Sequence, residues 1–167
     1  MVPSDPERVD LFDADSIPLG RSIRRGEALG PGEYRVVVQV WVRNSRGEFL
    51  IQKRGLGLTE APGLWAASAG WVVAGEDSSE CAARELEEEL GIRASPSELR
   101  MVLSRTVGAT LGSAWLLDRD TRLEELSLDP DEVAETTWAT EEEIRSMVRT
   151  GEFFDYGYEY FAKLIGT

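Results

Sequence analysis

Apolar and polar positions first alternate in short runs and later repeat at helical spacing. Val9, Leu11 and Phe12, then Ile17 to Ile23, suit two short strands joined by the turn Asp13-Ala14-Asp15-Ser16. The residues before them read as a loose lead-in, and a glycine-rich loop, Gly26 to Gly32, follows. Tyr34 to Val42 is apolar on both faces and rich in Val, which predicts a central strand. Asn44 to Gly47 reads as a turn and Phe49 to Lys53 as the returning strand. Gly55 to Gly63 is a loop, and Trp65 to Val73 is mixed, with Gly70 in its middle.

The period then changes. Asp77-Ser78-Ser79-Glu80 has the form of a capping box, so a helix should run from Ser78 to Leu90, with Gly91 as its left-handed stop. Residues 99–107, 113–118 and Val133 to Trp138 read as strands, and Asp129-Pro130 as a turn. Thr140-Glu141-Glu142-Glu143 opens a second helix that Gly151 should end. Phe154, Tyr158, Phe161 and Ile165 recur at helical spacing and predict a last amphipathic helix whose aromatic stripe is core. Strands first, helices interleaved late and a hairpin between them predict an α/β fold with a mixed sheet between helices.

Composition narrows the chemistry. With 167 residues, 42% hydrophobic and 29% charged, the chain reads as one globular domain, 1–167, with 1–33 as an N-terminal β extension. A formal charge of −13 repels phosphate backbones and anionic lipid, so nucleic-acid polymers and membrane surfaces are poor partners. A small anionic substrate stays open, because a bound cation inverts the local field. Cys81 is the only cysteine, which excludes an internal disulfide. The absence of histidine excludes Ser-His-Asp triads, zinc–histidine sites and imidazole bases. Met1 to Asp10 is polar and acidic, unlike a signal peptide, and no apolar run reaches the ~20 residues of a membrane span. A cytoplasmic protein is expected.

On a helical wheel with Glu85 at zero, Glu88 falls at about 300° and Glu89 at about 40°. Ala82, Leu86, Leu90 and Ala83 form the apolar stripe at about 60° to 160°. The acid arc therefore lies beside the buried face. Like charges at such spacing cost ~0.2–0.5 kcal/mol per pair when exposed and more near a core. Two readings are open on spacing alone: a solvated acidic helix, or a site whose carboxylates hold Mg²⁺ or Mn²⁺.

Gly70, Glu76, Arg84, Glu85, Leu86, Glu88, Glu89, Gly91 and Ile92 match, at every fixed position, the pattern G-x5-E-x7-R-E-U-x-E-E-x-G-U, with U aliphatic. The segment resembles the Nudix box. The resemblance implies a Nudix fold, with a mixed sheet sandwiched between helices and residues 70–92 forming a loop-helix-loop. It implies Mg²⁺-dependent hydrolysis of a diphosphate linkage, with Mn²⁺ as a substitute. The substrate implied is a small molecule: a nucleoside di- or triphosphate or a related nucleotide derivative. By position, Glu85, Glu88, Glu89 and the Gly70 carbonyl resemble the metal ligands. Glu85 or Glu88 resembles the group that helps deprotonate the attacking water. Glu76 and Arg84 resemble the pair that holds the box loop to its helix.

The stretches GEYRVVVQVWVRNSRGEFLIQKR and APGLWAASAGWVVAGE are similar to the Nudix branch related to isopentenyl-diphosphate isomerase. That branch uses a cysteine and metal-binding histidines. Here Ser68 or Ala69 stands in the cysteine stretch, and Arg35, Gln39 and Trp71 stand where histidines would be expected. The isomerase centre cannot be rebuilt, so hydrolysis is the expected activity. An isomerase-like enzyme and a nucleotide-binding module without catalysis are the alternatives.

Other residues are weaker candidates. Lys53 and Arg54 suit phosphate contacts or an ordinary charged surface. Trp41, Trp65, Trp71 and Trp115 suit core packing or, for Trp71 above all, a stacking surface. Glu132 and Glu135 read as a solvated strand edge or an extra ligand or base. Cys81 reads as a half-buried spacer whose thiolate the nearby acids oppose.

Overall fold

The computed structural model describes residues 7–166, so the first six residues of the lead-in and the final one lie outside the described residues. Two strands, β1 (Arg8–Phe12) and β2 (Pro18–Arg24), pair antiparallel as a separate hairpin. The main sheet holds β3 (Arg35–Arg43), β4 (Phe49–Arg54), β5 (Trp65–Ala66), β6 (Ser68–Trp71), β7 (Arg100–Val107), β8 (Thr110–Asp118) and β9 (Val133–Ala139). Its path is β5-β4-β3-β8-β7, with β6 added to β3 and β9 to β4. Three α-helices complete the described fold: α1 (Ser78–Leu90), α2 (Glu141–Thr150) and α3 (Tyr158–Ile165).

β3 is central, as its two apolar faces require. It runs parallel to β8 over its whole length, from Arg35↔Thr110 to Arg43↔Asp118, and antiparallel to β4 and β6. The sheet is therefore mixed. Side chains alternate along each strand. Val38, Val40 and Val42 of β3 and Trp115 and Leu117 of β8 pack under α1 with Leu86 and Leu90. Trp41, Ala114 and Leu116 point the other way, against Ile144 of α2 and Tyr160, Phe161 and Leu164 of α3. The sheet is thus sandwiched between helices, the architecture of the Nudix fold.

β3 and β4 touch only near Val42↔Leu50 and Arg43↔Phe49, then diverge. β6 fills the place beside β3, and β5 and β9 flank β4. This split in the sheet lies beneath α1 and positions the acidic cluster described below.

The C-terminal aromatic stripe is out of phase with expectation. Gly157 sits at φ 93, outside helical space, so α3 begins only at Tyr158. Phe154 belongs to the preceding loop, where its N–H bonds to the Trp65 carbonyl at 2.8 Å. Phe154 and Tyr158 are exposed, and the buried set is Phe153, Tyr156, Tyr160, Phe161 and Leu164. Trp41 lies among these rings, and its Nε1 donates to the Tyr160 hydroxyl at 2.7 Å, so the one polar atom of its side chain is satisfied. Trp115 is also core, whereas Trp65 and Trp71 are half-buried. The strand expected at 113–118 starts earlier, at Thr110, and residues 65–73 resolve into β5 and β6.

Candidate active site

Helix α1 forms where its caps predict. Asp77 accepts from the Ser79 and Glu80 amides, and the Glu80 side chain returns to the Asp77 N–H. Gly91, at φ 70, closes the helix in the left-handed conformation. Between these caps the helix buries Cys81, Ala82, Glu85, Leu86, Glu89 and Leu90. Glu85 and Glu89 therefore belong to the buried face itself, rather than lying beside it as the wheel suggested.

Glu89 is 2% exposed, and its Oε2 accepts from Gln52 Nε2 at 2.9 Å. Gln52 Oε1 in turn accepts from the Ser68 hydroxyl at 3.1 Å. This chain joins α1, β4 and β6 across the split in the sheet. Burial, then the charge of Glu85, pushes the Glu89 carboxyl up to about 8. Glu85 is 8% exposed; burial raises it to about 7, against the opposing pull of Arg84. Glu132, exposed just before β9, adds its charge to both carboxyls, and Glu135 is exposed on β9.

Gly70 meets this cluster. A Cβ at this position would overlap the Glu85 carboxylate, so only glycine lets that carboxylate lie against the β6 backbone. Arg84 sits at the edge of the cluster. Its Nε and Nη2 grip the two oxygens of Glu76 at 2.8 and 3.0 Å, and Nη2 also donates to the Trp71 carbonyl at 3.1 Å. Its Nη1 bridges Glu85 Oε1 at 2.7 Å and Glu88 Oε2 at 3.0 Å. The expected Glu76–Arg84 pair is present, and Arg84 is also the counter-cation of two acids.

As they stand, no three acids converge to enclose an ion among the described residues. Glu85 and Glu88 turn to Arg84, and Glu89 turns to Gln52. The donor set nonetheless fits a hard divalent cation. It offers three carboxylates, two of them buried at a cost that a cation would relieve, with the Glu88 side chain 57% exposed.

Along β6, Ser68 and Gly70 face α1, whereas Ala69 and Trp71 line a cleft of about 480 Å³ on the other side. Arg54 and Arg105 line the same cleft. The Trp71 ring carries the Arg35 guanidinium 4.1 Å from its centroid. Arg105 Nη1 donates to the Tyr156 carbonyl at 2.5 Å. Lys53 does not line the cleft; its ammonium lies 5.9 Å from the centroid of the Trp65 ring. Cys81 is fully buried rather than half-buried, and burial pushes its thiol up. Gln52 and Arg105 carried no motif. Gln52 is legible only as a polar residue at an inward position of an apolar strand, and Arg105 left no signal.

The NUDIX domain model matches residues 33–158, and the chain belongs to that family: it is a Nudix pyrophosphohydrolase. Enzymes of this family act on small nucleotide derivatives and generally use divalent metals. A Nudix hydrolase of Listeria monocytogenes is 36% identical over 151 residues, covering 90% of this chain and 89% of that one. The isopentenyl-diphosphate Delta-isomerase of Streptomyces coelicolor is 28% identical over 144 residues, covering 81% of this chain and 72% of its own. In fold, the chain is similar to the crystal structure of DR0079 from Deinococcus radiodurans. The TM-score is 0.76 at 24% identity, over 96% of this chain and 98% of that one.

Proposed function

We propose that the chain, acting as one domain, hydrolyses a diphosphate bond of a nucleoside di- or triphosphate or related nucleotide derivative in a Mg²⁺-dependent reaction. The observation that carries this reading is the pair of buried carboxylates, Glu85 and Glu89, one helical turn apart, with Glu85 lodged against Gly70. Two buried like charges are unfavourable unless a cation joins them. Glu85, Glu88, Glu89 and the Gly70 carbonyl are the proposed ligands, and Mn²⁺ is the proposed substitute ion. When bound, the divalent ion neutralises phosphate oxygens and makes a water acidic enough to attack phosphorus at neutral pH.

The chain's own residues do the rest. Glu85 or Glu88 takes the proton of the attacking water. Glu76 holds Arg84, and Arg84 bridges Glu85 and Glu88 and offsets their charge until a cation enters. The cleft beyond β6 receives the non-phosphate part of the substrate, with Trp71 offering an aromatic face and Arg54 a bidentate donor. Lys53, at the strand end beside Arg54, is the weaker phosphate contact. A cytoplasmic setting suits the reading, since the lone cysteine forms no disulfide and nucleotides are plentiful there.

The isomerase alternative has less support. The chain has no histidine, and Ser68 in the cysteine stretch is engaged by Gln52. The test is substitution. Glu85→Gln and Glu89→Gln should each lose most nucleotide cleavage with circular dichroism unchanged. Wild-type turnover in both variants would remove these residues from the site.

A further inference from the structure

The β1–β2 hairpin lies outside the span matched by the family, residues 33–158, yet it is built into the loop that leads to α1. Val9 bridges antiparallel to Val73, and the Ala74 N–H donates to the Arg8 carbonyl at 2.8 Å. One side chain completes the contact: the Gly75 N–H donates to Asp10 Oδ2 at 2.8 Å. Beneath it, buried Val9, Leu11 and Ile23 pack with Leu29 and Trp71.

The loop from Trp71 to Glu76 is held by backbone hydrogen bonds, Ala74 to Arg8 and Glu76 to Val73 among them, and by side chains as well. The Trp71 carbonyl accepts from Arg84, and the Val73 N–H donates to Glu76 at 3.2 Å. Asp10 adds a side-chain anchor from the hairpin. Gly75 sits at φ 85 in the left-handed region and is exposed, so nothing in its own side chain restrains the turn. Its neighbour Glu76 is the residue that grips Arg84, and Arg84 sets where Glu85 and Glu88 point.

We propose that Asp10 is a positioning residue for the metal site. By accepting the Gly75 N–H, it holds the turn that presents Glu76 to Arg84, and through Arg84 it orders Glu85 and Glu88. This inference rests on the metal-dependent reading above. The amide that Asp10 holds is exposed, so without Asp10 it turns to water and the fold survives. What is lost is the fixed placement of groups behind the ligands, on which metal affinity depends.

The test is Mn²⁺ binding alone, read by the electron paramagnetic resonance of free Mn²⁺. It uses the full chain, with melting temperature in EDTA measured alongside. Asp10→Ala should weaken binding by about threefold to tenfold. Asp10→Asn keeps an oxygen at the same place and should stay within about twofold of wild type. Asp13→Ala is the control, because among the described residues Asp13 Oδ1 accepts only from Asp15 and Ile17 of its own turn; it should also stay within about twofold. If Asp10→Ala does not fold, Asp10→Glu replaces it with the same expectation, since the longer side chain misplaces the oxygen. Unchanged affinity in Asp10→Ala overturns the inference, as does equal weakening in Asp10→Asn or Asp13→Ala. Wild-type protein that binds no Mn²⁺ would instead overturn the metal-dependent reading beneath it.

Discussion

Replacing Glu89 by Gln should make the metal-free protein more stable and the metal-loaded protein less so. Glu89 is 2% exposed, and its carboxyl is pushed up to about 8 from an ordinary 4.5. A folded-state value above the unfolded one means that the folded protein holds this proton more tightly. The stability that the protonated group provides is complete below the unfolded value, near 4.5, and is lost as pH rises through about 8. At ~1.4 kcal/mol per tenfold change, the ceiling on that loss is about 5 kcal/mol. Glu85 titrates beside it and water can reach the relaxed site, so roughly 1–2 kcal/mol is the expected effect. Gln has the same shape, can still accept from Gln52, and carries no charge to bury. In EDTA at pH 8.5, Glu89→Gln should therefore melt roughly 2–8 °C above wild type, and at pH 5.5 the gain should shrink to about a third of that. Excess Mn²⁺ should reverse the order, because only wild type gains a full set of anionic ligands. Thermal scans followed by tryptophan fluorescence read all three conditions. A variant less stable than wild type at pH 8.5 in EDTA, or a gain of equal size at pH 5.5, would refute the burial argument.

Three further outcomes follow from the same geometry. Gly70→Ala forces a methyl into the Glu85 carboxylate, and should cost about 1–3 kcal/mol in a denaturant melt and weaken Mn²⁺ binding. Arg84→Lys keeps a charge but loses the fork on Glu76 and the bridge to Glu85 and Glu88, so nucleotide cleavage should fall well below wild type in a rate assay. Tyr160→Phe strands the buried Trp41 N–H and should cost about 1–3 kcal/mol in a denaturant melt, with cleavage unaffected because the pair lies on the opposite face of the sheet from α1.

Local signals were legible and distant pairings were not. Asp77, Glu80 and Gly91 announced both ends of α1, because a capping box and a left-handed glycine are written within a few residues. The acid arc was visible at helical spacing, but not the burial of two of its members. That burial depends on where β4 and β6 run, and the partner that explains Glu89 is Gln52, distant in sequence. The parallel pairing of β3 with β8 is equally silent, since no local turn encodes it. The aromatic stripe near the C-terminus misled because Phe154 and Tyr158 share a helical period, yet Gly157 breaks the helix between them. The tie from Asp10 to Gly75 joins a hairpin to a loop far along the chain, and residue types alone cannot predict one hydrogen bond to a backbone amide.

The central claim is that this acidic helix powers metal-dependent cleavage of nucleotide diphosphate bonds. Its most direct test is chromatographic separation of the products from a panel of nucleoside di- and triphosphates, nucleotide sugars, dinucleotides and isoprenoid diphosphates, each with Mg²⁺, Mn²⁺ or EDTA. Cleavage of a nucleotide class with either ion, abolished by EDTA, is the predicted result. Turnover that persists undiminished in EDTA, or no cleavage of any nucleotide with either ion, would contradict it.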